Sequence, residues 1–316
     1  MTPTPSSQVV KALAAAVQRA FRLEFGFVGT ENLLIALADT TGPGRKLGVR
    51  SLRAQAMARG TEHWASGDGG ATEAGPDVTT LLRAAHHQAR VDTPVPASVA
   101  LDACLRAAIG QAGDGVLTTT HLSLALLSLE FGRVADLMAV RRVDVEATAA
   151  AVRAASEPEE APAVWLLRKA GALEGESGGG YVRWLTKLVV RGQGLGGPEL
   201  TAVRAEAERL AVAGDRTVTS RDLVAAVLTL DQQLSAAGRK LRPELESGAA
   251  AALRAAGVDR ATLPAGGPVE RAIEGAKLVA ARRGDDVVGA RHLLVALRDD
   301  QEDPVSAALS GLGAEM

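Results

Sequence analysis

The chain has 316 residues, a formal net charge of −2, 47% apolar residues and only 3% aromatic ones. Such a length exceeds the roughly 250 residues at which a single core stops growing, so two domains are expected. The near-neutral balance excludes the global positive field of a nucleic-acid binder, and a single cysteine, Cys104, excludes an intramolecular disulfide or a multi-cysteine metal cluster. The opening residues, MTPTPSSQ, lack the basic and apolar stretches of a secretion signal, and no apolar run approaches the ~18 residues of a membrane span. The chain reads as soluble and cytoplasmic.

In chain order, the first element is an Ala-rich amphipathic helix, VVKALAAAVQRAF (9–21), followed by a turn at Gly26 and a second helix, VGTENLLIAL (28–37). The same order returns three times. ALDACLRAAIGQA (100–112) precedes LTTTHLSLAL (117–126), and LTAVRAEAERLAVA (200–213) precedes VTSRDLVAAV (218–227). VERAIEGAKLVAAR (269–282) precedes VGARHLLVAL (288–297). Gly113, Gly214 and Gly284 end three of the first helices, where a left-handed residue is wanted and glycine has no Cβ to clash. Thr30, Thr119 and Ser220 are placed as N-caps of the second helices, with Ala290 breaking the pattern. Uneven spacing argues against an open solenoid, and the four units fall into two pairs.

Between the pairs, ASEPEEAP (155–162) and GESGGG (175–180) read as a linker. Within it, YVRWLTKLVVR (181–191) is an amphipathic helix with Tyr181, Trp184, Leu185 and Leu188 on one face and Arg183, Lys187 and Arg191 on the other. It docks on a domain or binds a partner. GQGLGG (192–197) fits a dinucleotide fingerprint in letters only, because no parallel strand follows, and it reads as a flexible joint. The five histidines (63, 86, 87, 121, 292) lack metal-ligand spacing, and no nucleophile elbow occurs. Cys104, in ALDACLRAA, reads as a buried thiol. No metal, cofactor or catalytic residue is expected.

The four helix pairs, with VGTENLLIALA as the closest match and GARHLLVAL next, resemble the N-terminal repeat domain of the Clp family of AAA+ unfoldases. The resemblance implies an all-α fold of two tandem Clp-N-like domains, each a pseudo-two-fold pair of helical repeats. The first domain spans 1–155, with repeats at about 1–57 and 96–155. A linker with the amphipathic helix spans 156–197, and a diverged second domain spans 198–316. FGRVADLMAVRRVDVEATAAAV (131–152), GVRSLRAQA (48–56) and AALSGLGAEM (307–316) match the family's short later helices. The phosphate-cradling G-x-x-x-x-G-K-[S/T] loop of the family's motor does not occur in this sequence.

In that family the glutamate of the GTE motif helps form a pocket for phosphoarginine on clients, which implies a ligand role for Glu31 with Thr30 and Asn32. A carboxylate suits a guanidinium, and the free amides of the next helix suit a phosphate. The other reading is that Glu31 only complements the helix dipole. Equivalent positions hold Thr119–Thr120, Arg221 and Arg291. Threonine cannot pair with a guanidinium and arginine repels one, so the second domain is expected not to bind arginine-like ligands. Phe21, Phe25 and Phe27 are candidate contacts for an apolar peptide. The expected function is a non-enzymatic decoy, sequestering or adaptor protein for phosphoarginine clients, peptides or peptide antibiotics of the Clp protease system. Its partners would be the unfoldase or its clients. The alternative is a helix–turn–helix nucleic-acid-binding regulator, favoured by its Arg-rich helices and opposed by its acidic balance.

Overall fold

A computed structural model describes residues 3–48, 67–175 and 196–312. The chain divides into two compact units, Met1–Ala161 and Pro162–Met316, and the described residues are mostly helical.

The first unit begins with strand β1 (Thr4–Pro5) and helix α1 (Ser7–Arg22). Ser6 caps α1 by accepting from Val9 N at 3.1 Å. Val9, Leu13, Ala16, Val17 and Ala20 then recur every three or four residues and bury a continuous stripe. Helix α2 (Thr30–Thr40) and the short α3 (Gly42–Arg45) follow. Next come β2 (Ala71–Thr72), α4 (Pro76–Ala89), β3 (Ala97–Ser98) and α5 (Val99–Ala112). The unit closes with β4 (Val116–Leu117), α6 (Thr119–Leu127), α7 (Arg133–Val140) and α8 (Val145–Ala154). α1 packs on α2 and α4, and α5 on α6. Leu13, Leu33, Leu37, Leu101, Leu105, Leu122 and Leu126 meet in one core, each contributing about 1.5–3 kcal/mol by its burial.

The short strands tie the two halves of this unit by exchange. β1, which precedes α1, pairs in parallel with β4, which precedes α6. Reciprocally, Val28, which precedes α2, bridges Ala97, which precedes α5, through Val28 N to Pro96 O (2.8 Å) and Ser98 N to Val28 O (3.0 Å).

The second unit contains α9 (Pro162–Lys169), α10 (Pro198–Ala213), α11 (Ser220–Ala236), α12 (Ala249–Ala255), α13 (Val269–Arg283) and α14 (Ala290–Asp299), with 3-10 helices at Pro243–Leu245 and Pro304–Leu309. α10 packs on α11 and α13 on α14, while α9 lies against α10 and α11. Leu200, Val203, Leu223, Val227, Ile273, Leu293, Leu297 and Leu309 are buried in it. The exchange seen in the first unit recurs. Gly197 N, ahead of α10, donates to Val288 O, ahead of α14 (2.8 Å), and Ser220 N of α11 donates to Gly267 O, ahead of α13 (2.9 Å).

Several sequence expectations need correction. The boundary between the units, Ala161/Pro162, falls inside the expected linker stretch 155–162, in which Glu159 bonds to Ser6 and Thr119 of the first unit, and α9, inside the expected linker 156–197, belongs to the second. Gly113 and Gly284 do end their helices at positive φ, but Gly214 does not (φ −86°), and the left-handed residue there is Asp215. The expected helix at 181–191, most of GQGLGG, most of GVRSLRAQA and the last four residues lie outside the described residues.

Candidate functional site

The VGTEN turn places Gly29, not Thr30, at the N-cap of α2, and Thr30 is the first helical residue. The same one-residue shift holds at Thr118 before α6, Thr219 before α11 and Gly289 before α14. At all four, the residue three places on accepts from the cap amide: Asn32 Oδ1 (2.8 Å), His121 Nδ1 (3.1 Å), Asp222 Oδ2 (3.0 Å) and His292 Nδ1 (3.0 Å). This is the returning half of a capping box.

The first helical residue is met by a carboxylate from elsewhere in the fold. Asp68 accepts from Thr30 N (2.6 Å) and Thr30 Oγ1 (2.7 Å). Glu159 accepts from Thr119 N (3.0 Å) and from its hydroxyl. Asp303 accepts from Ser220 Oγ (2.9 Å), and Glu199 from Ala290 N (2.8 Å). The amides expected to hold a ligand phosphate at Thr30 and Thr119 are therefore engaged by the chain's own anions. A negative charge at a helix N-terminus is the arrangement the helix dipole favours.

Asp68 does more than cap α2. It also accepts from Ser98 Oγ at the start of α5 (3.1 Å) and from Arg133 N at the start of α7 (2.8 Å), and its backbone carbonyl accepts from Ala100 N (3.1 Å). The side chain is fully buried where three helices begin. A Cβ at Gly29 would come within 2.9 Å of Asp68 Oδ2 and 2.7 Å of Glu31 Oε2. One at Gly132 would reach Asp68 Oδ1 at 3.0 Å, and that residue already has φ +97°.

Glu31 lies beside this point, only 6% exposed. Its Oε1 is 3.8 Å from Arg133 Nη1, and its Oε2 has no hydrogen-bond partner. Burial first, and the charge of Asp68 second, push the Glu31 carboxyl up to about 7, against the pull of Arg133 and Arg19. Burial also lowers the Arg133 guanidinium from its usual value, opposed by Glu31, Asp68 and Asp136. Glu31 is therefore an internal group facing an internal arginine, not a surface carboxylate open to a client.

The remaining expected residues scatter. Asn32 is buried and caps Gly29. Thr120 donates to Ser156 Oγ (2.9 Å). Arg221 is half-buried on α11. Arg291 lines a cavity of about 310 Å³ with His292, Glu199, Glu244, Glu246, Asp285 and Asp286. There five carboxylates stand around Arg291 and His292. Phe27 is buried and Phe25 packs on the core, leaving Phe21, 48% exposed, as the member of the trio open to an apolar ligand. Cys104 is fully buried, and burial raises its thiol pKa. Among the described residues no group of His, Cys, Asp and Glu is placed to hold a metal ion.

Asp68, Arg133, Glu159, Glu199 and Asp303 escaped the sequence reading. The four carboxylates lie between 38 and 91 residues from the helix starts they serve, beyond the reach of any local pattern. No protein-family model, curated protein or solved structure matches the chain.

Proposed function

We propose that the chain is a non-catalytic binding protein of the Clp N-domain type, acting as a decoy or adaptor for clients or peptide ligands of a Clp unfoldase–peptidase. The observation that carries this reading is the reciprocal exchange of segments in both units. β1 with β4 and Val28 with Ala97 in the first unit correspond to Gly197 with Val288 and Ser220 with Gly267 in the second. Each unit then reads as two helical repeats related by a pseudo-two-fold. The four recurring cap positions support the same reading.

The test is a reconstituted digestion of a phosphoarginine-bearing client by a Clp unfoldase–peptidase, with increasing amounts of the full chain. Competition for the client or the unfoldase slows digestion in proportion to added chain. An unchanged rate at about tenfold molar excess, together with no co-sedimentation with unfoldase or client, refutes the reading.

A further inference from the structure

Three helices, α2, α5 and α7, begin around one point: α2 and α7 direct their first amides, Thr30 N and Arg133 N, at the Asp68 carboxylate, and α5 its N-cap hydroxyl, Ser98 Oγ. Such a point is an anion hole by construction. Its present occupant is the Asp68 carboxylate, carried on a turn in which Gly69 and Gly70 have φ of +80° and +74°. Beside it, Glu31 is buried with Oε2 unpartnered, which is an independent mark of an incompletely filled site. The Arg133 guanidinium, at 3.8 Å, stands outside hydrogen-bond range of Glu31, whereas a forked guanidinium–carboxylate pair closes to about 2.7–2.9 Å. A carboxylate accepts about four hydrogen bonds, so Glu31 retains capacity that Arg133 does not use.

We propose that the Thr30–Glu31 corner is self-occupied: Asp68 fills the anion hole, Arg133 stands against Glu31, and an outside ligand enters only by displacing them. The proposal rests on the binding-protein reading for its biological meaning, but its physical claim is separate from it. Asp68 and Arg133 then act as an internal competitor that sets how strongly a ligand must bind before the corner opens.

Chemical rescue tests this directly. Asp68→Gly removes the internal anion from a turn that already tolerates glycine. Inorganic phosphate, compared with chloride at equal ionic strength, is expected to raise the Tm of this variant by about 3 °C at ten times its Kd and to leave the wild type unmoved. Formate in a parallel arm separates a hole for any small anion from one shaped for phosphate, and uptake of either supports self-occupancy. Arg133→Ala is expected to be restabilised by methylguanidinium but not by tetramethylammonium, and to lose that response when Glu31→Gln is added. If Asp68→Gly does not fold, the Arg133→Ala arm decides alone. Folded variants that respond to neither probe overturn the proposal, as does a wild type that responds to phosphate as strongly as Asp68→Gly. Rescue without competition in the digestion assay removes the client reading and leaves the self-occupied corner. Competition without rescue does the reverse.

Discussion

The burial of Glu31 makes a quantitative statement about pH. Its carboxyl is raised from 4.5 to about 7, chiefly by burial and then by Asp68. A group whose folded pKa lies above its unfolded one contributes stability that is complete below the unfolded value and is lost as pH rises through the folded one. The first unit should therefore lose stability between about pH 4.5 and 7. A carboxyl that titrates one pH unit higher in the folded chain carries about 1.36 kcal/mol. Over the interval from 4.5 to about 7, this amounts to about 3 kcal/mol lost by pH 8. Glu31→Gln keeps the shape and removes the titration. The difference between wild type and Glu31→Gln should thus be small at about pH 4.5 and grow to about 3 kcal/mol in favour of the variant at about pH 8. Urea unfolding across that pH range, read by hydrogen exchange of the Leu33–Leu37 amides, isolates this unit from the other. A difference that stays constant across the range, or that favours the wild type increasingly as pH rises, refutes the claim that the charge is held out of water.

Other consequences are more local. Gly29→Ala places a methyl at 2.7 Å from Glu31 Oε2, and thermal unfolding should show a loss of about 1–3 kcal/mol, the usual cost of forcing extra volume into a packed site. Glu159→Ala leaves Thr119 N and the Ser6 hydroxyl without their acceptor, with an expected loss of about 1–3 kcal/mol in urea denaturation. Phe27→Ala should cost about 3–5 kcal/mol, while Phe21→Ala, at an exposed position, should change stability by less than about 0.5 kcal/mol; equal losses in calorimetry would place Phe21 in the core. In an electrophoretic shift at about 150 mM salt, the full chain should leave duplex DNA unretarded, as its net charge of −2 provides few phosphate contacts.

The helix pairs were legible because their apolar residues recur with helical period and their turns carry glycine. The caps were legible only to within one residue. Hydroxyls at Thr30, Thr119 and Ser220 drew the N-cap to themselves, but the residues that return a bond to the cap amide, Asn32, His121, Asp222 and His292, lie three residues after Gly29, Thr118, Thr219 and Gly289. That register fits a capping box, and it was the better signal. The sequence left Glu31 between a ligand role and a dipole role and did not show its burial, since glutamate is almost never buried unpaired. Its actual state depends on Arg133 and Asp68, which only the folded chain brings to it.

The four remote carboxylates point to a constraint stronger than any single contact. Asp68 follows Thr30 by 38 residues and Glu159 follows Thr119 by 40, whereas Glu199 lies on α10 and Asp303 follows α14, so the second unit draws its carboxylates from other positions than the first. What they share is the start of a helix that is buried on nearly every side and cannot rely on water to satisfy its first amides. At Thr30, Thr119 and Ala290 a carboxylate delivered from another element accepts from the first amide, whereas Ser220 N donates to Gly267 O and Asp303 accepts from the Ser220 hydroxyl; in each case the carboxylate fastens its element to the helix. At Thr30 the fastening carboxylate is joined by Glu31 and Arg133, whose Oε1 and Nη1 stand 3.8 Å apart. Burying that pair is costly. Chemical rescue is therefore directed at this corner, where Glu31 Oε2 has no hydrogen-bond partner.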